Sequence, residues 1–129
     1  MSNSSKPEIG SITWFDLTVP DAEKVKDFYS KVVGWKANPV SMGGYSDFNM
    51  NSPESGKTNA GICNKRGTNA DLPSQWLIYI AVKNLDESAE ICKENGGKIL
   101  VAPKYMGSYG RYCVIEDPTG AVCALFEPA

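Results

Sequence analysis

The residues that could do chemistry in this chain are a carboxylate beside an indole, a thiol, a guanidinium and several tyrosines. All of them work without histidine. The sequence of 129 residues contains none, so no Ser-His-Asp or Cys-His pair can form within it, and no His-ligated metal site. Asp16 is the most informative single residue. It sits two positions after Trp14, on the mixed face of an alternating apolar segment. Partial desolvation there would favour the neutral acid and suit proton transfer. The alternative is an Asp anchored by a hydrogen bond from Tyr79 or Arg111 that serves only structure. Cys63 would be a nucleophile only beside a base or a positive charge; without His, a buried inert thiol is expected. Arg111 follows Gly107-Ser108-Tyr109-Gly110. It would either grip a ligand or pair with an acid at the surface. Tyr45, Asp47 and Asn49 alternate on one strand face, and parity alone does not say which. Glu116 and Asp117 are adjacent and point opposite ways, which fits a turn better than a paired-carboxylate site.

These residues need elements to hold them. Residues 12–19 (ITWFDLTV) alternate, with Phe15, Leu17 and Val19 on one face and Trp14, Asp16 and Thr18 on the other, which predicts a strand. Asp21 can cap a helix, and Val25, Phe28, Tyr29, Val32 and Val33 recur at helical spacing up to Gly34,. Three strands are expected around Lys36–Val40, Tyr45–Met50 and Asn59–Cys63, then a polar surface linker over Asn64–Gln75. The pattern then restarts. A strand at Trp76–Val82 precedes a helix from Leu85 to about Asn95, with capping-box spacing at Asn84 and Glu87 and a stop at Gly96-Gly97. Further strands are expected at Lys98–Ala102, Arg111–Glu116 and Ala121–Glu127, the last two joined by the turn sequence Asp117-Pro118-Thr119-Gly120.

The order strand, helix, three strands therefore occurs twice. A shift of 63 lays Val19 on Val82, Asp21 on Asn84, Phe28 on Ile91 and Gly34 on Gly97. We read this as an internal duplication of a βαβββ unit. One unit alone is too small to bury its sheet, so a single domain over 9–129 is expected, with modules at about 9–63 and 76–129 and a disordered tail at 1–8. Apolar residues at 42% support a folded chain,. The net charge of −2 argues against a basic nucleic-acid-binding face,. No secretory signal or membrane-length apolar run is seen, so a cytoplasmic protein with reduced thiols at Cys63, Cys92, Cys113 and Cys123 is expected.

The layout resembles the vicinal oxygen chelate superfamily, the glyoxalase and bleomycin-resistance fold. The resemblance is carried by Phe28-Tyr29 with Gly34-Trp35, and by Asp117-Pro118-x-Gly120. Trp14, Asp16 and Leu17, then Ala60-Gly61-Ile62, then Trp76 with Tyr79, are similar to the two-module bacterial branch of antigen-type and hydroxylase-labelled proteins. The resemblance implies an α+β fold in which two βαβββ modules curl a mixed sheet into a cup. Enzymes of the family hold a divalent metal in that cup with His and Glu side chains. Carried over by position, those ligands fall on Trp14, on Ala60 or Gly61, on Leu77 and on Ala124, none of which has a ligating side chain.

The expectation is thus a cup without metal or cofactor that binds a small, partly aromatic molecule. Trp14, Thr18, Tyr45, Cys63, Leu77, Arg111, Ala124 and Phe126 are the candidate ligand contacts. Trp76 could also stack on a planar ligand, although by parity it lies on the helix side. The competing reading is a lyase, isomerase or hydroxylase-like enzyme that uses Asp16 and Tyr79 for proton transfer. A third is a non-catalytic module that dimerises through strand edges or by module exchange. The partners expected are a small molecule and a second copy of the chain, with no nucleic acid and no membrane.

Overall fold

The computed structural model describes residues 6–129. Part of the expected 1–8 tail therefore lies outside the described residues, and Lys6–Glu8 carry no helix or strand. The elements run β1 (Ile12–Val19), α1 (Ala22–Val33), β2 (Lys36–Ser41), β3 (Ser46–Asn51), β4 (Thr58–Asn64), β5 (Trp76–Ala81), α2 (Leu85–Glu94), β6 (Lys98–Tyr105), β7 (Gly110–Glu116) and β8 (Val122–Pro128). The βαβββ plan occurs twice in this α+β chain. Two compact units divide it: Trp14–Trp76, and Leu77–Ala129 with the segment that ends at Thr13.

In the Trp14–Trp76 unit the strands lie in the order β2-β3-β4-β1. β1 and β4 are parallel, and the other pairs are antiparallel. Two residue choices set the ends of α1. Asp21 Oδ1 accepts from Lys24 N at 3.1 Å, satisfying one of the free amides of the first turn. Gly34 takes a left-handed conformation (φ 87°) and returns its N–H to Ser30 O, which a residue with a Cβ would resist. The core beneath α1 is Leu17, Val19, Ala22, Phe48, Met50 and Ile62, with Val25, Tyr29, Trp35, Ala37 and Trp76 packed at its margin. Met50 and Ile62 are fully buried, each contributing about 1.5–3 kcal/mol of hydrophobic stabilisation.

Three features of this unit differ from the expectation. The apolar stripe of α1 is only partly covered: Phe28, Val32 and Val33 are 56%, 65% and 52% exposed. Phe15 shares parity with Leu17 yet is exposed. The stretch expected as a polar surface linker contains a short 3-10 turn at Gly67–Asn69 and buries Leu72, because one apolar residue in a polar run gains more by leaving water than its neighbours do.

The other unit repeats the plan with the order β5-β8-β7-β6 and a parallel β5–β8 pair. Asn84 caps α2 by accepting from Glu87 N at 3.0 Å. It stands where the repeat places the counterpart of Asp21. Leu85, Cys113 and Leu125 form the core under α2, with Ile80, Val82 and Ile115 around it. The opposite face of this sheet is also closed: Leu77, Tyr79, Ala81, Val114 and Ala124 are buried. The β7–β8 turn is held by Asp117 Oδ1, which accepts from Thr119 Oγ1 at 2.6 Å, Thr119 N at 2.8 Å and Ala121 N at 3.0 Å. Among the described residues no helix is long and apolar enough to cross a membrane.

Candidate functional site

The register of β1, β3 and β4 decides which side chains meet. Leu17 and Phe48 both lie opposite Ile62 in the core. By the two-residue period of a strand, Asp16, Thr18, Gly61, Cys63, Asp47 and Asn49 therefore share the face turned away from α1. Asp16 pairs with Gly61, and Thr18 with Cys63. The ambiguity between Ala60 and Gly61 thus resolves to Gly61 on the Trp14 face, while Ala60 lies opposite Met50 and is buried.

On this face Trp14 Nε1 donates to Asp16 Oδ1 at 2.7 Å, and both residues are half-buried. The same carboxylate oxygen lies over Gly61, where a Cβ would collide with it and would approach the Trp14 ring to 3.4 Å. Position 61 has to be glycine for Asp16 to lie there. A glycine inside a strand is the signal that could have shown this from the sequence, since it marks a close approach. The fixed Asp16 carboxylate, with an indole beside it, can accept a hydrogen bond from a bound molecule or take up a proton.

Cys63 lies between two acids. Burial first, then the charges of Asp16 and Asp47 and its own hydrogen bonds to them, push the thiol well above its ordinary range. It is held as the neutral thiol and is a poor nucleophile. Asp47 is tied down separately, accepting from Asn64 N and Asn64 Nδ2, both at 3.0 Å. Asn64 also donates to Ser46 O at 2.8 Å, so one asparagine organises the β3–β4 end of the face. Sequence reasoning missed Asn64, since its partners come from other strands. Tyr45 stands just before β3, with the Arg66 guanidinium 3.9 Å above its ring,. Trp76 turns to the helix side: its Nε1 donates to Tyr29 Oη at 3.1 Å.

In the other unit, Tyr79 pairs with Ala124, and Tyr112 with Phe126. By strand parity Leu77, Tyr79, Ala124 and Phe126 share the face turned away from α2, and the Tyr79 and Tyr112 rings lie 6.1 Å apart. Leu77, Tyr79 and Ala124 are buried, whereas Phe126 is half-buried. Arg111 lies on the α2 side of its strand and does not share this face. It makes a two-pronged pair with Asp86 (2.8 and 3.3 Å) and reaches Glu127 Oε1 at 3.3 Å. These acids, Asp86 first, raise its pKa further above its already high ordinary value. Glu127 Oε1 also accepts from Leu85 N at 2.7 Å, which ties the first turn of α2 to β8. Arg111 and Glu127 border a cavity of about 300 Å³ with Tyr105, Gly107 and Ser108.

Among the described residues no group of three or more Cys, Asp or Glu side chains is placed to hold a metal ion.

Comparison with known proteins agrees with this architecture. The family model described as Glyoxalase/Bleomycin resistance protein/Dioxygenase superfamily matches residues 11–125. The anthracycline biosynthesis protein DnrV of Streptomyces peucetius is 30% identical over 92% of this chain and 47% of its own length. CFP32 of Mycobacterium tuberculosis, which carries the name of a glyoxylase, is 33% identical over 98% of this chain and 49% of its own. The chain thus spans about half the length of the curated relatives it matches. Among solved structures, the methylmalonyl-CoA epimerase of Mycobacterium tuberculosis superposes with a TM-score of 0.56 at 16% identity, covering 100% of this chain and 93% of that one. That of Streptomyces coelicolor, solved with 2-nitronate-propionyl-CoA, gives 0.59 at 14% identity, covering 95% and 99%. At these identities the structures share the fold.

Proposed function

Since the chain belongs to the glyoxalase/bleomycin resistance protein/dioxygenase superfamily, we propose that it binds a small, partly aromatic molecule on the β1–β4 face that carries Trp14 and Asp16, and that it does so without a metal ion. One observation carries the reading: the Asp16 carboxylate is fixed by the Trp14 indole over a glycine that leaves room for it. An aromatic wall beside one oriented acceptor suits a planar ligand with a hydrogen-bond donor. Tyr45, Thr18 and Cys63 extend the face. Considered by itself, the second unit offers Phe126 as its most open candidate; Leu77 and Ala124 are buried, and Arg111 is paired with Asp86.

The metal that the family uses does not fit the residues at hand. Trp14, Gly61, Leu77 and Ala124 stand at its ligand positions, and none presents a lone pair from its side chain to a divalent cation. A net charge of −2 keeps nucleic acid out of the list of partners,.

Quenching of intrinsic tryptophan fluorescence tests the binding. Titration with planar aromatic compounds, an anthracycline among them because two relatives are named for anthracycline biosynthesis, should show saturable quenching that Trp14→Phe reduces. A panel that produces none counts against the proposal. Metal analysis of freshly purified protein should find less than one divalent ion per chain.

A second reading has support from the same pair. A half-buried carboxylate held in one orientation suits proton transfer, so a lyase or isomerase step through Asp16 is the enzymatic form of the proposal. A turnover that Asp16→Asn leaves untouched would dispose of it.

A further inference from the structure

The side of β1 turned toward α1 is incompletely filled. Phe15, Leu17 and Val19 share that side by strand parity. Leu17 and Val19 are buried, but Phe15 is exposed. Beside it, and wholly within the Trp14–Trp76 unit, Phe15, Trp35, Asn59, Ala60 and Trp76 line an open cavity of about 410 Å³. Folded interiors pack to the density of organic crystals, so a space of this size next to the core stands out. Its volume falls at the lower end of the range of small-molecule sites, about 300–1,000 Å³.

The lining is specific in shape and chemistry. The Trp35 and Trp76 rings lie 6.0 Å apart with their planes at 74°. An edge-to-face pair uses the face of only one of its rings, so the two indoles form a corner and not a closed stack. Trp76 is held there from the far side, because its Nε1 donates to Tyr29 Oη at 3.1 Å. The wall is therefore set before anything binds, which lowers the cost of ordering it. Ala60 contributes only a methyl group and is buried, which leaves the space open. Asn59 Nδ2 donates to Ser52 Oγ at 2.7 Å and to Lys57 O at 3.3 Å. Both amide hydrogens are thus committed, and the Asn59 carbonyl oxygen remains as an acceptor. None of the five lining residues carries a charge.

We propose that this corner is a second small-molecule site, on the side of β1 opposite Trp14 and Asp16, and that it takes a neutral planar molecule of one or two aromatic rings with an N–H or O–H donor. The indole corner and Phe15 select a flat ring. Neutrality follows from the uncharged lining, since an ion would leave its hydration without a counter-charge. The donor is matched by Asn59. The proposal does not rest on the ligand reading above, as the two sets of residues share no member.

The three tryptophans report the two sides of β1 separately through their indole N–H signals in a nitrogen–proton correlation spectrum. Titration with 2-naphthol should move the Trp35 and Trp76 signals saturably. Naphthalene, which lacks the donor, should bind about two- to tenfold more weakly, and 2-naphthoate, which is charged, more weakly than 2-naphthol. Phe15→Ala should weaken 2-naphthol by about tenfold, and Asn59→Leu should remove its advantage over naphthalene. Where a variant fails to fold by circular dichroism, the ranking of the three probes on the unaltered protein decides. Equal affinities for the three probes overturn the proposal, as do Trp35 and Trp76 shifts indifferent to Phe15→Ala. Movement of the Trp14 signal alone overturns it too, while favouring the Trp14–Asp16 face; a spectrum in which no indole signal moves counts against both.

Discussion

The indole nitrogen of Trp14 holds one oxygen of the Asp16 carboxylate at 2.7 Å, with only Phe15 between them in the chain. The two side chains leave the same face of β1, and the contact fixes the orientation of both. A hydrogen bond to an ionised acceptor is stronger than a neutral one, so this pair anchors the face proposed to bind ligand.

Trp14→Phe removes the donor and keeps an aromatic wall. It should cost about 1.5–3 kcal/mol in urea denaturation at neutral pH, the usual range for a hydrogen bond to a charged group. Asp16→Asn keeps an acceptor oxygen and should cost less. Equal stability of Trp14→Phe and the unaltered chain would mean that the bond contributes nothing.

Gly61→Ala places a methyl group where the Asp16 carboxylate lies. The carboxylate must swing away and lose the indole, which should cost about 1–3 kcal/mol by overpacking. In an Asp16→Ala background the same substitution should be nearly neutral. A double-mutant cycle should therefore give a coupling of about 1 kcal/mol or more. Additive effects would show that the two positions do not compete for space.

The thiols make stability fall at alkaline pH. Burial pushes Cys113 up to about 11 from an ordinary 9.0, and burial also raises Cys63 and Cys123. A thiol with a raised folded-state pKa loses its proton more readily when unfolded. Its contribution is therefore complete below about pH 9 and declines as pH rises toward the folded value, by up to about 1.4 kcal/mol per pH unit for each thiol. Cys113→Ala should flatten the fall between pH 9 and about 11. In native protein Cys63 should react with iodoacetamide far more slowly than after unfolding; equal rates would contradict its placement.

Arg111 joins acids of unequal importance. Asp86 is exposed, and solvent screens its pair with Arg111,. Glu127 also receives the Leu85 amide at the start of α2. Thermal melts should therefore rank Glu127→Ala as more damaging than Asp86→Ala. The Arg111–Asp86 pair holds the Asp86 carboxyl below its usual range. Its small contribution is present above the unfolded pKa and lost as pH falls through the folded one, so Asp86→Asn should remove that acid sensitivity. The reverse ranking in the melts would place the anchor at Asp86.

Much of the fold could be read directly. The alternation over residues 12–19, the helical spacing from Val25 to Val33, the caps at Asp21 and Asn84 and the turn at Asp117 are local patterns, and local patterns are what a sequence displays. Strand parity put Asp16 and Thr18 on one face and Leu17 and Val19 on the other, and predicted that Trp76 lies on the helix side.

What local pattern does not carry is partnership. The sequence left open whether Asp16 does chemistry or is anchored, and it did not show the bond from Trp14, a neighbour whose role only the side-chain geometry reveals, nor that Arg111 reaches Asp86, 25 residues away. Gly61 rather than Ala60 shares the Trp14 face because β1 and β4 pair in one register, and register is set by contacts distant in sequence,. The spacing on α1 marks an apolar stripe but not what covers it. The burial of Leu72 and the exposure of Phe28 and Val32 were decided by which surfaces the folded unit had left to pack. Composition and period therefore determined the elements and their faces. The pairing of those faces came only from tertiary structure, because the contacts that set it are non-local, and the fixed carboxylate needed the close approach of Gly61 on β4 as well as the neighbouring indole.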